Sequence, residues 1–165
     1  MPPSLDSQKK RVTIGFVPRE QFSTTKRSFE TLLERTREPF DLVIVDGGSP
    51  AKVRDYLRDV SEKHGFTLLR NEGYLTPNQA RNLVLKYVQT KHVVFMDNDV
   101  LVSRGWLTAL VDCAERTSAW VVGPLYCEFG PEGKRIHMFG GQVGIKRNQS
   151  GTWLITSLTI TRMSP

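Results

Sequence analysis

Several large classes are closed to this sequence by what it has little of. It carries two cysteines in 165 residues, Cys113 and Cys127, and they do not form a C-x-x-C pair. That argues against a disulfide framework or a zinc site and for free thiols in a core. No apolar run approaches the length of a membrane span, and the stretch Met1-Pro-Pro-Ser-Leu-Asp6 lacks an apolar signal core. The expectation is a cytoplasmic protein with no transmembrane segment. There is no internal repeat or low-complexity tract, and no G-x-G-x-x-G follows the first apolar run, so the dinucleotide fingerprint is missing. Acid is the scarcer charge, 17 Asp+Glu against 23 Lys+Arg for a net +6. That sign suits anionic partners, but the bases are spread as on a solvated surface. No nucleic-acid partner is expected, and peripheral contact with a membrane stays open.

What is present is a regular alternation of strand and helix signals in one soluble globular domain, with 39% hydrophobic and 24% charged residues. Arg11–Val17 reads as a buried strand stopped by Pro18. Ser23 or Thr24 then caps a helix carrying Phe29, Leu32 and Leu33. Phe40–Val45 is a second strand, and Ser49-Pro50 a helix start with Pro at the first position. Val53, Tyr56, Leu57 and Val60 form that helix's stripe, ended by His64-Gly65. Phe66–Leu69 is a third strand. Thr76-Pro-Asn-Gln79 makes a capping box for a helix burying Ala80, Leu83, Val84, Tyr87 and Val88. A fourth strand runs to Met96, Ser103 caps a helix with Leu107, Leu110, Val111 and Ala114, and Ala119–Tyr126 reads as a fifth strand.

This order predicts an α/β fold, a mostly parallel Rossmann-like sheet with helices on both faces. Residues 1–10 read as a disordered lead-in and 11–128 as the sheet domain. Residues 129–165 read as a glycine-rich hairpin or edge segment, with small antiparallel strands such as Arg135–Phe139 and Trp153–Ile160.

The chemistry concentrates in Lys91-His-Val-Val-Phe-Met-Asp-Asn-Asp-Val100. A short β-branched run stops at Asp97 and Asp99, two residues apart, so both project the same way if the strand geometry persists. In open α/β sheets, ligands bind beyond the carboxyl ends of the strands. Paired hard oxygens there suit Mg²⁺ or Mn²⁺ shared with substrate phosphates. The triplet alone is weak evidence, because eight Asp in this chain give about 0.4 such triplets by chance, and taken by itself it reads more readily as a plain strand-to-helix turn. Position adds weight. Pro18-Arg19-Glu20, Asp46-Gly47-Gly48 and Asp97-Asn98-Asp99 all follow strands, and parallel strands bring all three to one edge. Asp46 can accept hydrogen bonds from a base or ribose there, although an ordinary turn also fits. His137 is a candidate third metal ligand or a structural histidine. Trp106, Trp120 and Trp153 read as core or interface residues.

Taken together, Pro18 after the first strand, Val43-Ile-Val-Asp-Gly-Gly-Ser49, Asn71-Glu-Gly73 with Ala80-Arg-Asn82, Phe95-Met-Asp-Asn-Asp99 and Gly105-Trp106-Leu107 resemble the family 2 glycosyltransferases of the GT-A fold, over roughly residues 11–125. The resemblance implies an inverting transferase that moves a sugar from a nucleotide-diphospho-sugar, foremost a UDP-sugar, to an acceptor hydroxyl. The acceptor would be a saccharide, a lipid-linked molecule or another hydroxyl compound. The cofactor would be Mn²⁺ or Mg²⁺. Pro18 and Arg19 would line the nucleotide pocket and Asp46 would bind the base. Asn71, Gly73 and Arg81 would frame the nucleotide-sugar. Asp97 would approach the ribose or sugar, with Asn98 counted among the donor-binding residues, and Asp99 would be the main metal ligand with Asp97 beside it.

Two departures stand out. The family usually has a second Asp where this chain has Gly47, and an inverting transferase needs a general base. After Asp99 only Asp112, Glu115, Glu128 and Glu132 remain, none in a recognisable base motif, so no catalytic base is assigned. The alternative reading is a truncated, non-catalytic nucleotide-sugar-binding module lacking that base, with residues 129–165 a truncated acceptor region. A nucleotidyltransferase would want a Gly-rich basic loop after the first strand, and a receiver domain paired acids there; neither is present.

Overall fold

The computed structural model describes residues 9–128, 135–138, 141–147, 149 and 153–160, with side chains from 9 to 128 and at 135, 136 and 149. The strands are β1 (Val12–Val17), β2 (Phe40–Gly47), β3 (Thr67–Asn71) and β4 (His92–Asp97), with helices α1 (Thr25–Arg35), α2 (Ala51–His64), α3 (Pro77–Leu85) and α4 (Trp106–Thr117) after them in turn. They form a four-stranded sheet in the order β3-β2-β1-β4, and every pairing in it is parallel. This is the α/β, mostly parallel architecture expected from the sequence.

Side-chain alternation decides which helix covers which face. Val12, Ile14 and Phe16 of β1 share a cluster with Leu42 and Ile44 of β2, Phe29 and Leu32 of α1, Leu57 of α2, and Leu107 and Val111 of α4. The odd-numbered residues Val17, Val43 and Val45 pack instead against Ala80 and Val84 of α3. Since β1 is central and fully buried along its length, its apolar residues are spent on both faces. Phe29 is fully buried and meets Phe16, Tyr56 and Phe66 edge-on, at ring separations of 5.3, 6.1 and 6.2 Å. These aromatic pairs draw α1, α2 and the start of β3 together.

Gly15 sets how closely α3 lies on the sheet. A Cβ there would sit 2.7 and 2.9 Å from the two Cγ atoms of Val84, a β-branched side chain with little freedom to move aside. We expect Gly15→Ala to cost about 1–2 kcal/mol through overpacking, read as a lowered midpoint in urea unfolding.

The helix signals mostly act as anticipated. Thr76 and Gln79 complete the capping box of α3, with Pro77 in its first turn, and Gly65 ends α2 with φ +69°. The start of α2 differs by one residue. Pro50, with ψ 152°, is the N-cap itself and the helix opens at Ala51. Helix α4 opens at Trp106 rather than after Ser103, because Gly105 takes φ +76°, outside the helical region. Tyr87 lies beyond the end of α3 and is 47% exposed, so it leaves the anticipated buried stripe.

The fifth parallel strand is corrected. Residues 118–125 hold no regular structure, and Trp120 is 99% exposed, which removes the core role and leaves the interface role of the two expected of it. Gly123-Pro124 supplies the reason: the pair weakens an extended segment and removes a ladder donor from its middle. Trp106 does join the core margin, its indole N–H donating to Thr36 Oγ1 at 2.9 Å. Cys113 and Cys127 are free thiols, but half-buried rather than buried.

Residues 1–111 and 112–165 make two compact units. In the second, β5 (Tyr126–Cys127) and β6 (Ile136–Met138) pair antiparallel, as do β7 (Gly141–Arg147) and β8 (Trp153–Ile160). These are the small antiparallel strands expected of the glycine-rich segment. Trp153 and His137 lie on β8 and β6, and their side chains fall outside the described residues.

Candidate functional site

Parallel pairing places the candidate residues at one rim. Val17 is in register with Asp97, so Pro18 and Arg19 leave the sheet beside the acidic triplet. Gly47 is in register with Asn71, which sets the Asp46 and Asn71–Gly73 loops side by side. β1 separates β2 from β4, so Asp46 and Asp97 stand roughly 10 Å apart laterally, two inter-strand spacings. The chain leaves β1 towards β2 and returns from β3 to β4 on the far side of β1, the reversal at which α/β sheets form crevices.

Each carboxylate has a different environment. Strand β4 ends at Asp97, and Asn98 and Asp99 form a turn, so the two acids do not share a continuing strand as the spacing suggested. Asp97 lies between two guanidiniums, 3.3 Å from Arg81 Nη2 and 3.5 Å from Arg19 Nη2. Arg81 reaches it from α3 and also lies 6.0 Å from the Phe95 ring centre. Close seating of α3 over Gly15 places Arg81 within that reach. Arg19 further pairs with Glu20. Asp99 is exposed, and among the described residues its carboxylate takes part in no hydrogen bond or ion pair.

Asn98 points inward, 1% exposed, with its amide bonded to the Arg19–Thr25 segment. Its amide is engaged by the Arg19 and Glu20 backbone and by the Thr25 hydroxyl.

Asp46 is 1% exposed. Its Oδ1 accepts the Ser49 N–H at 2.9 Å, and its Oδ2 accepts from Arg70 Nη1 at 2.6 Å. Burial opposes the charge on Arg70, but hydrogen bonding and attraction from Asp46, then Glu72, outweigh it and raise its pKa. Arg70 keeps 23% side-chain exposure against 1% for Asp46, so it is the outer member of the pair. Arg70 was not singled out in the sequence, because only strand register puts it opposite Asp46.

Glycines hold the neighbouring loops close. A Cβ at Gly47 would lie 3.0 Å from both the backbone nitrogen and the Cβ of Leu75, so the aspartate usual in the resembled family cannot fit here without moving that loop. Gly48 has φ +86° and packs against Glu72 and Gly73. Asn71 Nδ2 donates to the Gly73 carbonyl at 2.7 Å, which closes that turn. Beside it, a shallow cleft of about 270 Å³ is lined by Leu69, Arg70, Asn71, Leu83, Lys86 and Tyr87, over Val45.

Pro18, Arg19, Asp46, Asn71, Gly73, Arg81, Asp97, Asn98 and Asp99 thus share one rim, and the side chain of His137 lies outside the described residues. Among the described residues no cluster of three or more His, Cys, Asp or Glu could hold a metal. The donor set nonetheless fits a hard divalent ion. Such ions are commonly held by one or two carboxylates, with phosphate and water oxygens completing the shell.

A sequence model of the family described as "Glycosyl transferase family 2" matches residues 19–161. An uncharacterized glycosyltransferase of Rickettsia bellii (strain RML369-C) is 26% identical over 114 residues, covering 68% of this chain and 16% of that protein. The mannosyltransferase PcManGT from Pyrobaculum calidifontis, solved with GDP-Man and Mn²⁺, aligns with a TM-score of 0.59 and 22% identity, over 73% of this chain and 36% of that one. TarS 1-349 of S. aureus, solved with UDP-GlcNAc, aligns with a TM-score of 0.56 and 17% identity, over 72% and 38%. These structural likenesses show the fold. The chain spans well under half the length of each of these relatives.

Proposed function

The chain belongs to glycosyl transferase family 2, and on that premise we propose that it binds a nucleotide-diphospho-sugar for transfer, with inversion, to an acceptor hydroxyl. The observation that carries this reading is the shared rim: a free carboxylate at Asp99, two arginines at Asp97, and the Asp46–Arg70 pair two strands away. Arg19 and Arg81 would meet the diphosphate and offset charge building on the leaving group, which stabilises a transition state more than a ground state. Arg70, backed by Asp46, would meet the base, and a uridine nucleotide is the first choice. Pro18 would line the nucleotide pocket, and Asn71 and Gly73 would frame the donor. Asp99, with Asp97, would hold Mn²⁺ or Mg²⁺, which when bound supplies Lewis-acid stabilisation of the diphosphate.

The reading assigns donor binding to the sheet domain expected over residues 11–128. The carboxylates described after Asp99 (Asp112, Glu115 and Glu128) all fall in the second unit, so the first unit is read as the donor-binding part. The acceptor is read as a saccharide, a lipid-linked molecule or another hydroxyl compound. Among the described residues no helix is long and apolar enough to cross a membrane. The two free thiols suit a reducing compartment, in line with a cytoplasmic site of action.

Calorimetric titration with UDP and with GDP, each with and without Mn²⁺, tests the proposal. We expect UDP to bind more tightly than GDP, and by at least about tenfold more with Mn²⁺ present. A chain that binds neither UDP nor GDP under any of these conditions would sink the reading. Slow hydrolysis of a UDP-sugar without acceptor would separate an enzyme from the binding-module alternative.

A further inference from the structure

One buried side chain ties together the two loops on which the proposed function rests. Asn98 lies between two rim carboxylates, yet it is 1% exposed. Its Oδ1 accepts the Arg19 backbone N–H at 3.3 Å, while its Nδ2 donates to the Glu20 carbonyl at 2.7 Å and to Thr25 Oγ1 at 2.8 Å. Its own carbonyl lies 3.1 Å from Thr24 Oγ1, whose one hydroxyl hydrogen it shares with the nearer Gln21 carbonyl at 2.7 Å. The chain beyond it is fastened to α1 in the same manner: Ser28 Oγ donates to the Val100 carbonyl at 2.6 Å, and Arg35 Nη1 to the Val102 carbonyl at 3.2 Å. The segment gripped by Asn98 is strained, since Gln21 adopts φ 51°, ψ 39°, the left-handed region. A non-glycine residue stays there only where its surroundings over-determine it.

The geometry points to Asn98 as a positioning residue that couples the β1–α1 loop to the carboxylate turn, so that Arg19 and Asp99 are presented to one ligand as a fixed pair. An amide is required at this branch point, because it accepts from one backbone group while donating to another. An aspartate would set a carboxylate oxygen against the Glu20 carbonyl. The nucleotide and metal sites are then linked through the protein, in addition to any diphosphate that touches both. This rests on the proposed function for its ligands, but the clamp itself is measurable without them.

The test is amide hydrogen exchange by NMR on the full chain, paired with UDP titration in Mn²⁺, for wild type, Asn98→Ala, Asn98→Asp, Thr24→Val and Thr24→Ser. In Asn98→Ala and Asn98→Asp, amides of residues 19–25 should exchange about tenfold faster while those of β2 and α2 stay as in wild type. UDP binding in Mn²⁺ should weaken by about tenfold. Thr24→Val loses the hydroxyl that stands between the Gln21 and Asn98 carbonyls, and should shift both readouts the same way, less strongly. Thr24→Ser keeps the hydroxyl and should restore both. Uniformly faster exchange that includes β2 and α2, or unchanged exchange at 19–25, would overturn the inference. So would nucleotide binding that stays at wild-type strength with the loop loosened. A wild type that binds neither UDP nor GDP would overturn the functional reading, and the coupling with it, whatever the exchange shows.

Discussion

Asp99→Ala is expected to remove the Mn²⁺-dependent part of UDP binding while leaving the fold intact. The side chain is exposed and has no hydrogen-bond or ion-pair partner among the described residues, so its loss should change stability by no more than about 0.5 kcal/mol. Altering a residue that merely orients a metal ligand weakens metal affinity by about 10–100-fold, so removing a ligand itself should cost at least about 100-fold. Paramagnetic resonance of free Mn²⁺ reads this directly, and UDP calorimetry reads its consequence. Asp97→Ala is the instructive contrast. It also releases Arg19 and Arg81 from their shared partner, so metal affinity should fall while metal-free UDP binding rises. Mn²⁺ affinity unaltered by Asp99→Ala would remove the metal role from this rim.

The second large effect is on stability. Asp46→Asn should destabilise the chain by about 2–3 kcal/mol, because a buried pair broken on one side leaves a charge without its counterpart. The upper range for such changes does not apply, since the Arg70 side chain keeps 23% exposure and can recover some hydration. The Ser49 N–H also loses a charged acceptor at the entry to α2. Urea unfolding of Asp46→Leu, Arg70→Met and the double variant Asp46→Leu/Arg70→Met forms a thermodynamic cycle, with Asp46→Asn measured beside it. The double variant should recover much of the loss, since well-packed apolar replacements of a buried pair are often nearly neutral. Strictly additive losses would show that the two side chains act independently.

The sequence alone determined the order of elements through the fourth strand and its helix, the parallel sheet and the rim where the polar loops gather. Each of these rests on local signals: short β-branched apolar runs, the Thr76–Gln79 capping box, the Gly65 stop, and polar clusters directly after strands. Such signals act between near neighbours in the chain and need no tertiary contact to be read. Tertiary structure decided which polar side chains are left open at the rim and which are spent on the protein. Asn98 and Asp97 are adjacent in the chain, yet one turns into the fold beneath the β1–α1 loop while the other meets arginines from two different elements. Arg70 gained its role through register with β2, and Gly15 through the approach of Val84. A buried hydrogen bond or close contact between residues tens of positions apart depends on how strands and helices meet, and that distance is written in no short stretch of sequence.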